Sequence, residues 1–250
     1  NEAVPIAMMA FANPLTATGY SITTAGFPAG IKPGSGSVNA GTVVGTTASS
    51  TQITEALLGY QASGTVASAR ASGRFFYTDT VDTEGGQSGS GVWTMTDDGT
   101  GTGTTVAAVL GVHTQGGSSN GGHLITLNEY SDIAFDLWFS LSEAEFDALP
   151  RAFLIGPTTS ALTPDPDDYI QGAELDEVIR MQDGDDRAEG SGGDDRHEGG
   201  GGVDQALFSG VITEYDLTIT DATDPDRPDL TIAHARGSQF DGTDTTTGVE

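Results

Sequence analysis

The first 130 residues alternate between short apolar segments and turns rich in glycine, serine and threonine. Short apolar segments that contain β-branched and aromatic residues and are bounded by such turns predict β-strands. We place strands at 74–78, 91–95, 106–112 and 123–127. The Asp-Asp-Gly sequence at 97–99 predicts a hairpin turn between the second and third of them. The pattern therefore predicts an all-β fold for this part of the chain.

The hydrophobic period changes after residue 127. Four apolar residues then recur at helical spacing and predict a helix: Ile133, Leu137, Trp138 and Leu141. Ser142 and Glu145 have the spacing of a capping box, which predicts a second short helix. Residues 151–162 are predicted to form a linker, followed by an acidic glycine-rich region and then a β region rich in threonine and aspartate.

The net charge of the chain limits the classes of molecule that it can bind. The chain has 250 residues, no cysteine and a formal net charge of −27, and most of its 36 acidic residues lie beyond residue 150. This surface repels nucleic acid and anionic membranes and attracts cations, although a halophilic source would explain the same acidity. The sequence holds no 18-residue apolar run, so we predict no membrane span. The absence of cysteine excludes disulfides and thiolate metal sites.

A glycine-rich loop at 85–91 surrounds Ser88 and runs into the apolar pair Val92 and Trp93. Glycines on both sides of a serine permit tight turns and leave its hydroxyl and the nearby N–H groups open to a substrate. In an acyl-transfer enzyme such N–H groups bind the developing oxyanion. A loop of this kind is also common without any catalytic role, so its neighbours in sequence must decide the interpretation.

The neighbours of this loop resemble the bacterial glutamyl-endopeptidase branch of the chymotrypsin-like serine proteases. Similar segments occur in the family's order at 22–28, 85–92, 110–117 and 120–125. The resemblance implies the second barrel and terminal helix of a double β-barrel. It implies that Ser88 is the nucleophile and that the N–H groups of Gly86 and Ser88 form the oxyanion hole. It also implies that Thr83 and His113 hold the carboxylate of a glutamate substrate, although Asp82 and Glu84 beside Thr83 would repel it.

The chain departs from that family in one essential respect. The mechanism needs a histidine base and an orienting aspartate, which precede the serine in this family, and no histidine precedes Ser88. We expect the missing barrel to lie upstream of Asn1 and these 250 residues to be inactive alone. An all-β esterase that uses Ser88 with His113 or His123 is a weaker alternative, since only nearness in sequence favours it.

A nine-residue period runs through 163–207, with an acidic residue at the sixth place of every repeat. It resembles the nonapeptide of RTX proteins, which form a parallel β-roll that binds calcium. The resemblance implies calcium ligands at Gly184, Asp186, Gly193, Asp195, Gly202 and Asp204. Two repeats make one coil, so Asp168, Asp186 and Asp204 should stack on one side and Glu177 and Asp195 on the other. A disordered acidic linker is the alternative.

Together these patterns predict a secreted bacterial serine endopeptidase that acts on protein or peptide substrates and binds calcium. Its predicted parts are a partial protease domain at 1–150, the linker at 151–162, the repeats at 163–210 and a trailing β region at 211–250. Proteins with such repeats are commonly exported by type I secretion machinery. A non-catalytic calcium-dependent adhesin or toxin module with a degenerate protease fold is the alternative.

Overall fold

The computed structural model describes residues 6–26, 41–44, 59–77, 81, 88–100, 102–116, 120–146, 148–156 and 167–250. In these ranges there are two short 3-10 helices, Pro14–Ala17 and Ile212–Glu214, and two α-helices, α1 Leu127–Ser140 and α2 Glu143–Phe146. The strands β1 to β17 are, in order, Ile6–Phe11, Ser21–Gly26, Gly41–Val44, Gly59–Ala69, Arg74–Tyr77, Gly91–Asp97, Thr105–Gln115, Gly121–Leu124, Ala152–Ile155, Tyr169–Gln171, Glu177–Asp183, Arg187–Glu189, Arg196–Gly201, Gln205–Leu207, Tyr215–Asp221, Asp229–His234 and Thr243–Thr247.

Six antiparallel strands close into a barrel. Their order around it is β7, β6, β2, β4, β5 and β8, and β8 pairs again with β7. Alternate residues of these strands are buried, among them Ile22, Phe75, Val92 and Leu110, as expected for strands with one face toward a core. At Gly111 a Cβ would lie 2.2 Å from the carbonyl oxygen of His123, so the β7–β8 pairing requires glycine there. The all-β prediction is confirmed in its coarser part, since the described residues are mostly β and include this closed six-stranded barrel.

The end of the barrel differs from the sequence prediction. The strand expected at 123–127 stops at Leu124, and α1 begins at Leu127. The reason is a capping box at Thr126: its N–H donates to Glu129 at 2.9 Å, and its hydroxyl accepts the Glu129 N–H at 3.4 Å. The predicted helix around Trp138 is confirmed. None of the helices in the described part of the chain is long and apolar enough to cross a bilayer.

The segment that was predicted as a linker contains a buried strand. β9 is buried at all four residues and pairs in parallel with β1 on one side and β11 on the other. A run of four apolar residues, Ala-Phe-Leu-Ile, satisfies the requirement for a strand buried on both faces. β1 also pairs in parallel with β7 of the barrel. The pairs β7–β1, β1–β9 and β9–β11 therefore join the barrel to the second half of the chain in one sheet.

Residues 167–207 form what we call the parallel unit. One sheet contains β10, β12 and β14, and the facing pair is β11 and β13. β10, β11 and β12 each pair in parallel with the strand 18 residues later, as in Tyr169 with Arg187 and Val178 with Arg196. One coil therefore spans two nonapeptides. The apolar eighth-place residues Ile170, Ile179 and Ala188 are buried between the sheets.

A hairpin follows the parallel unit and leads to a strand that returns to it. β15 and β16 pair antiparallel, and β16 pairs antiparallel with β17. β17 then returns beside β13 in parallel, with Arg196 opposite Thr245. Residues 243–247 therefore add a further strand to the sheet that contains β11 and β13.

Candidate functional site

Ser88 lies at the surface on the turn that enters β6. The turn is fixed to β7, because the Gly89 N–H donates to the carbonyl of His113 at 2.7 Å and the His113 N–H donates to the carbonyl of Ser90 at 2.8 Å. Gly89 has φ +90°, a conformation that favours glycine. The Ser88 side chain is exposed. Gly86 and Thr83, the other two residues predicted at this site, lie outside the described residues.

His113 lies inside the barrel and is only 2% exposed. Its Nδ1 atom is 3.2 Å from the hydroxyl of Tyr77, and the two rings stack with centroids 5.7 Å apart. Burial lowers the pKa of His113 below its usual value, so the imidazole is neutral at neutral pH. A neutral imidazole can donate one hydrogen bond to a substrate carboxylate but provides no positive charge.

Two of the other three histidine rings contact carboxylates, and the third is buried. His123 Nε2 is 2.7 Å from Glu129 Oε1, and His234 Nδ1 is 3.3 Å from Asp241 Oδ2. His197 is fully buried in the parallel unit. Tyr77 and Glu129 are therefore the polar neighbours of the two histidines considered for an esterase.

Two columns of carboxylates run through the parallel unit, and we call them the carboxylate ladders. In each, the backbone N–H of one acidic residue donates to the carboxylate of the acidic residue on the next coil. The first ladder links Asp168, Asp186, Asp204 and Glu250 at 2.7, 3.2 and 2.6 Å. The second links Glu177, Asp195 and Asp244, at 2.8 Å for both contacts. The predicted stacking of sixth-place acids on two sides is confirmed.

The second carboxylate oxygen of several ladder residues points into the interior. Glu177 Oε2, Asp195 Oδ2 and Asp204 Oδ2 are buried and have no hydrogen-bond partner among the described residues. Each lies against the first glycine of its own repeat: a Cβ would come within 2.8, 1.9 and 2.9 Å of these oxygens at Gly172, Gly190 and Gly199. Glycine at the first place therefore leaves room for an inward-pointing anionic oxygen.

Glycine at the fourth place shapes the turns between strands. Gly184, Gly193 and Gly202 have φ values of +121°, +113° and +122°, which L side chains rarely adopt. At Gly202 a Cβ would also lie 1.9 Å from the carbonyl oxygen of Gly184 on the preceding coil. The predicted metal-site residues thus fall on two features of one structure: the fourth-place glycines build the turns, and Asp186, Asp195 and Asp204 belong to the ladders.

Sequence reasoning missed the last member of each ladder. Asp244 follows Gly242 by two residues, which is the spacing of the fourth and sixth places in the repeat, and Gly242 also has a positive φ of +69°. Residues 239–247 are thus a nonapeptide in register, separated from the others by the hairpin. Glu250 closes the first ladder and forms an ion pair with Arg227.

Burial governs the charge state of the second ladder when no metal is bound. It raises the pKa of Glu177 well above its usual value, that of Asp195 to about 7 and that of Asp244 to about 8. The neighbouring Asp195 carboxylate contributes to the shifts of Glu177 and Asp244. Ionising both Asp195 and Asp244 without a cation is therefore unfavourable, because like charges would face each other in a poorly solvated interior.

These shifts predict how metal-free stability depends on pH. A carboxyl with a raised pKa in the folded state binds its proton more tightly there than in the unfolded chain. The resulting stability is fully present below the unfolded pKa, near 4, and is lost as pH rises through about 7 to 8. In chelator, the free energy of unfolding should fall across this range.

Far-ultraviolet circular dichroism in chelator at several pH values checks this prediction, because the parallel unit should lose β signal as its stability falls. Asp244→Asn should flatten the slope between about pH 6 and 8, whereas Asp132→Asn, at an exposed position of α1, should leave it unchanged. Metal-free stability that rises with pH over this range would contradict the assignment of these buried carboxyls.

No protein-family model matches this chain, and no curated protein sequence matches it.

Proposed function

We propose that the chain is the calcium-binding and nucleophile-bearing part of a secreted serine endopeptidase. The parallel unit within residues 163–210 would be its RTX-type β-roll. The observation that carries the proposal is the pair of carboxylate ladders, in which buried oxygens of residues such as Glu177 and Asp204 point into the interior without a partner among the described residues.

Calcium is the cation that best suits the ladders. Ca²⁺ takes six to eight oxygen ligands, and carboxylates with backbone carbonyls are its usual protein ligands. The ladders place carboxylates on successive coils, and the turns with positive-φ glycines bring carbonyls such as that of Gly184 close to the next coil. The net charge of −27 further favours cation binding.

Calcium would couple folding to secretion. Extracellular calcium modules bind the ion with Kd values of about 10⁻⁴–10⁻³ M. A unit with such affinity stays largely metal-free where calcium is scarce and fills outside the cell. Repulsion within the ladders would then keep the unit unfolded during export by a type I machinery, and calcium would fold it afterwards. The same export would place any peptidase activity in the extracellular medium.

The serine half of the proposal rests on the placement of Ser88. Its exposed side chain lies on a glycine turn that hydrogen bonds to β7 of a closed six-stranded antiparallel barrel. In the proposed reaction Ser88 attacks the scissile carbonyl and forms an acyl-enzyme, which water then hydrolyses. The base and its orienting aspartate would come from residues outside the sequence given, because both precede the serine in the family that the chain resembles and no histidine precedes Ser88.

The chain alone should therefore react slowly with a fluorophosphonate probe. A serine without its base loses several orders of magnitude in rate, so we expect no rapid stoichiometric labelling of Ser88, with or without calcium. Mass spectrometry of the labelled chain measures this, and Ser88→Ala defines the background. Rapid labelling that Ser88→Ala abolishes would show that the chain contains its own base.

A non-catalytic calcium-dependent module is the second candidate. The absence of a histidine before Ser88 in the sequence favours it, because the chymotrypsin-like mechanism takes its base from that part of the chain. A protein that includes residues preceding Asn1 separates the two candidates. A Thr-Ala-Ala-His segment followed by an aspartate-bearing strand, together with probe labelling of Ser88 in that longer protein, favours the endopeptidase. Without either, the binding module stands.

A further inference from the structure

A cluster of two carboxylates and one imidazole lies where the second ladder ends. Asp195 and His197 come from the turn and strand of β13, and Asp244 comes from β17. All three side chains are buried, and one potential ligand atom from each lies within 4.8 Å of the other two. The cluster joins the repeats to the segment beyond the hairpin, because β17 pairs with β13.

His197 departs from the repeat pattern in a way that points to a ligand. The eighth place otherwise carries Ile170, Ile179, Ala188 and Ala206. His197 is 0% exposed, and neither ring nitrogen has a hydrogen-bond partner among the described residues. Buried polar groups in native proteins are nearly always satisfied. The edge-on contact with Phe208, at 6.0 Å between ring centroids, satisfies neither nitrogen.

The two neighbouring carboxylates and this imidazole could bind one cation together. Asp195 Oδ1 accepts the Glu177 N–H, and Asp195 Oδ2 is buried with no hydrogen-bond partner in the part of the chain that the structure describes. Asp244 Oδ1 accepts the Asp195 N–H at 2.8 Å, which ties the two carboxylates together. A divalent cation among the three side chains would neutralise both carboxylates and accept the nitrogen lone pair. Burial keeps His197 neutral, which is the form that binds a metal.

The donor set indicates the class of metal. Calcium is bound through oxygen, whereas imidazole suits zinc, copper, iron and nickel. Structural and catalytic zinc sites contain three or four protein ligands drawn from imidazole, thiolate and carboxylate. We propose that Asp195, His197 and Asp244 bind a divalent transition metal of the zinc class at a mixed nitrogen and oxygen site. This site does not depend on Ser88 or on calcium binding elsewhere in the ladders.

The site would hold the strand beyond the hairpin onto the repeats. Asp244 reaches the ladder only if β17 lies beside β13, so a metal bound to all three residues links the two segments directly. Calcium would fill the oxygen-only positions of the ladders, and the zinc-class metal would occupy the position between Asp195 and Asp244, where the eighth-place histidine contributes nitrogen.

Zinc binding in excess calcium tests the proposal. The full chain is stripped of transition metals, kept in millimolar calcium and titrated with zinc by calorimetry. We expect one tight site per chain, and we expect His197→Leu to weaken it at least about 100-fold, because loss of even an outer-shell partner weakens metal binding about 10–100-fold. His123→Gln is the matched control, since His123 contacts Glu129 near the surface, and it should bind zinc as the unaltered chain does.

Two further measurements test the metal site even if the His197→Leu variant does not fold. Leucine suits an eighth place, so His197→Leu should retain the calcium-induced β signal. If it does not fold, NMR of the unaltered chain replaces it, and one of the four histidine rings should respond to a single equivalent of zinc and be assigned to His197. Equal zinc affinity in His197→Leu, no response of the His197 ring, or displacement of zinc by millimolar calcium would overturn the proposal. A chain that binds zinc but not calcium would reject only the calcium function.

Discussion

Gly202→Ala is expected to destabilise the calcium-loaded parallel unit by about 3 kcal/mol or more, because the substitution combines two unfavourable effects. Alanine at φ +122° adopts a backbone conformation that is open essentially to glycine alone. Its Cβ would also lie 1.9 Å from the carbonyl oxygen of Gly184. The hydrogen bond between the Gly184 N–H and the Gly201 carbonyl, 2.8 Å long, holds the same two coils together. The coil must therefore separate locally to accept the methyl group.

Gly248→Ala is the matched control for this substitution. Gly248 also has a positive φ, +66°, but the nearest atom to its Cβ would be 3.8 Å away. Strain alone remains, at about 1–2 kcal/mol. The free energy of unfolding in denaturant, measured in millimolar calcium, compares the two variants. Equal losses would mean that close contact between coils at Gly202 does not matter.

Asp204→Asn is expected to weaken calcium binding at least about tenfold, which corresponds to about 1.4 kcal/mol of binding free energy. Asp204 accepts the Asp186 N–H through Oδ1, and its Oδ2 is buried without a partner among the described residues. Asparagine keeps the shape and one acceptor oxygen but removes the charge that calcium would neutralise. Removing that charge should leave metal-free stability unchanged or higher, because burial already raises the pKa of Asp204.

The calcium dependence of the thermal midpoint measures this difference. A ligand at 100 times its Kd stabilises the folded state by about 2.7 kcal/mol per site, which shifts the midpoint of a small domain by about 10 °C or more. Asp132→Asn changes the charge by the same amount at an exposed position and should retain the full shift. If Asp204→Asn retained it as well, Asp204 would not be a calcium ligand.

The parts of the fold that depend on local pattern could be predicted from the sequence. The strands now seen at Arg74–Tyr77, Gly91–Asp97 and Thr105–Gln115 follow from apolar runs bounded by turn residues. The closure of β8 onto β7 could not be predicted that way, because pairing between distant strands leaves no mark in either segment alone. The buried strand Ala152–Ile155 was missed because four apolar residues beside a Gly-Pro sequence also fit a linker.

Some residues of the candidate metal sites could likewise be predicted from the sequence, and others could not. A contiguous nine-residue period predicts that Asp186 and Asp204 stack, since two repeats make one coil. Asp244 and Glu250 lie beyond the hairpin, where the period is interrupted, and only the return of β17 beside β13 brings them to the ladders. His197 occupies the eighth place of its repeat, where Ile170, Ile179 and Ala188 are buried. Only the three-dimensional structure shows that its ring nitrogens have no hydrogen-bond partner among the described residues.

The central claim is that calcium neutralises the carboxylate ladders and thereby folds the parallel unit. The most direct measurement is the far-ultraviolet circular dichroism of the chain at about pH 8, first in chelator and then with millimolar calcium. At this pH the Asp195 carboxyl, with its pKa near 7, loses its proton when no metal is bound. We expect a large gain of β signal on adding calcium and none on adding magnesium, which demands octahedral geometry and retains its waters. An unchanged spectrum in millimolar calcium would contradict it.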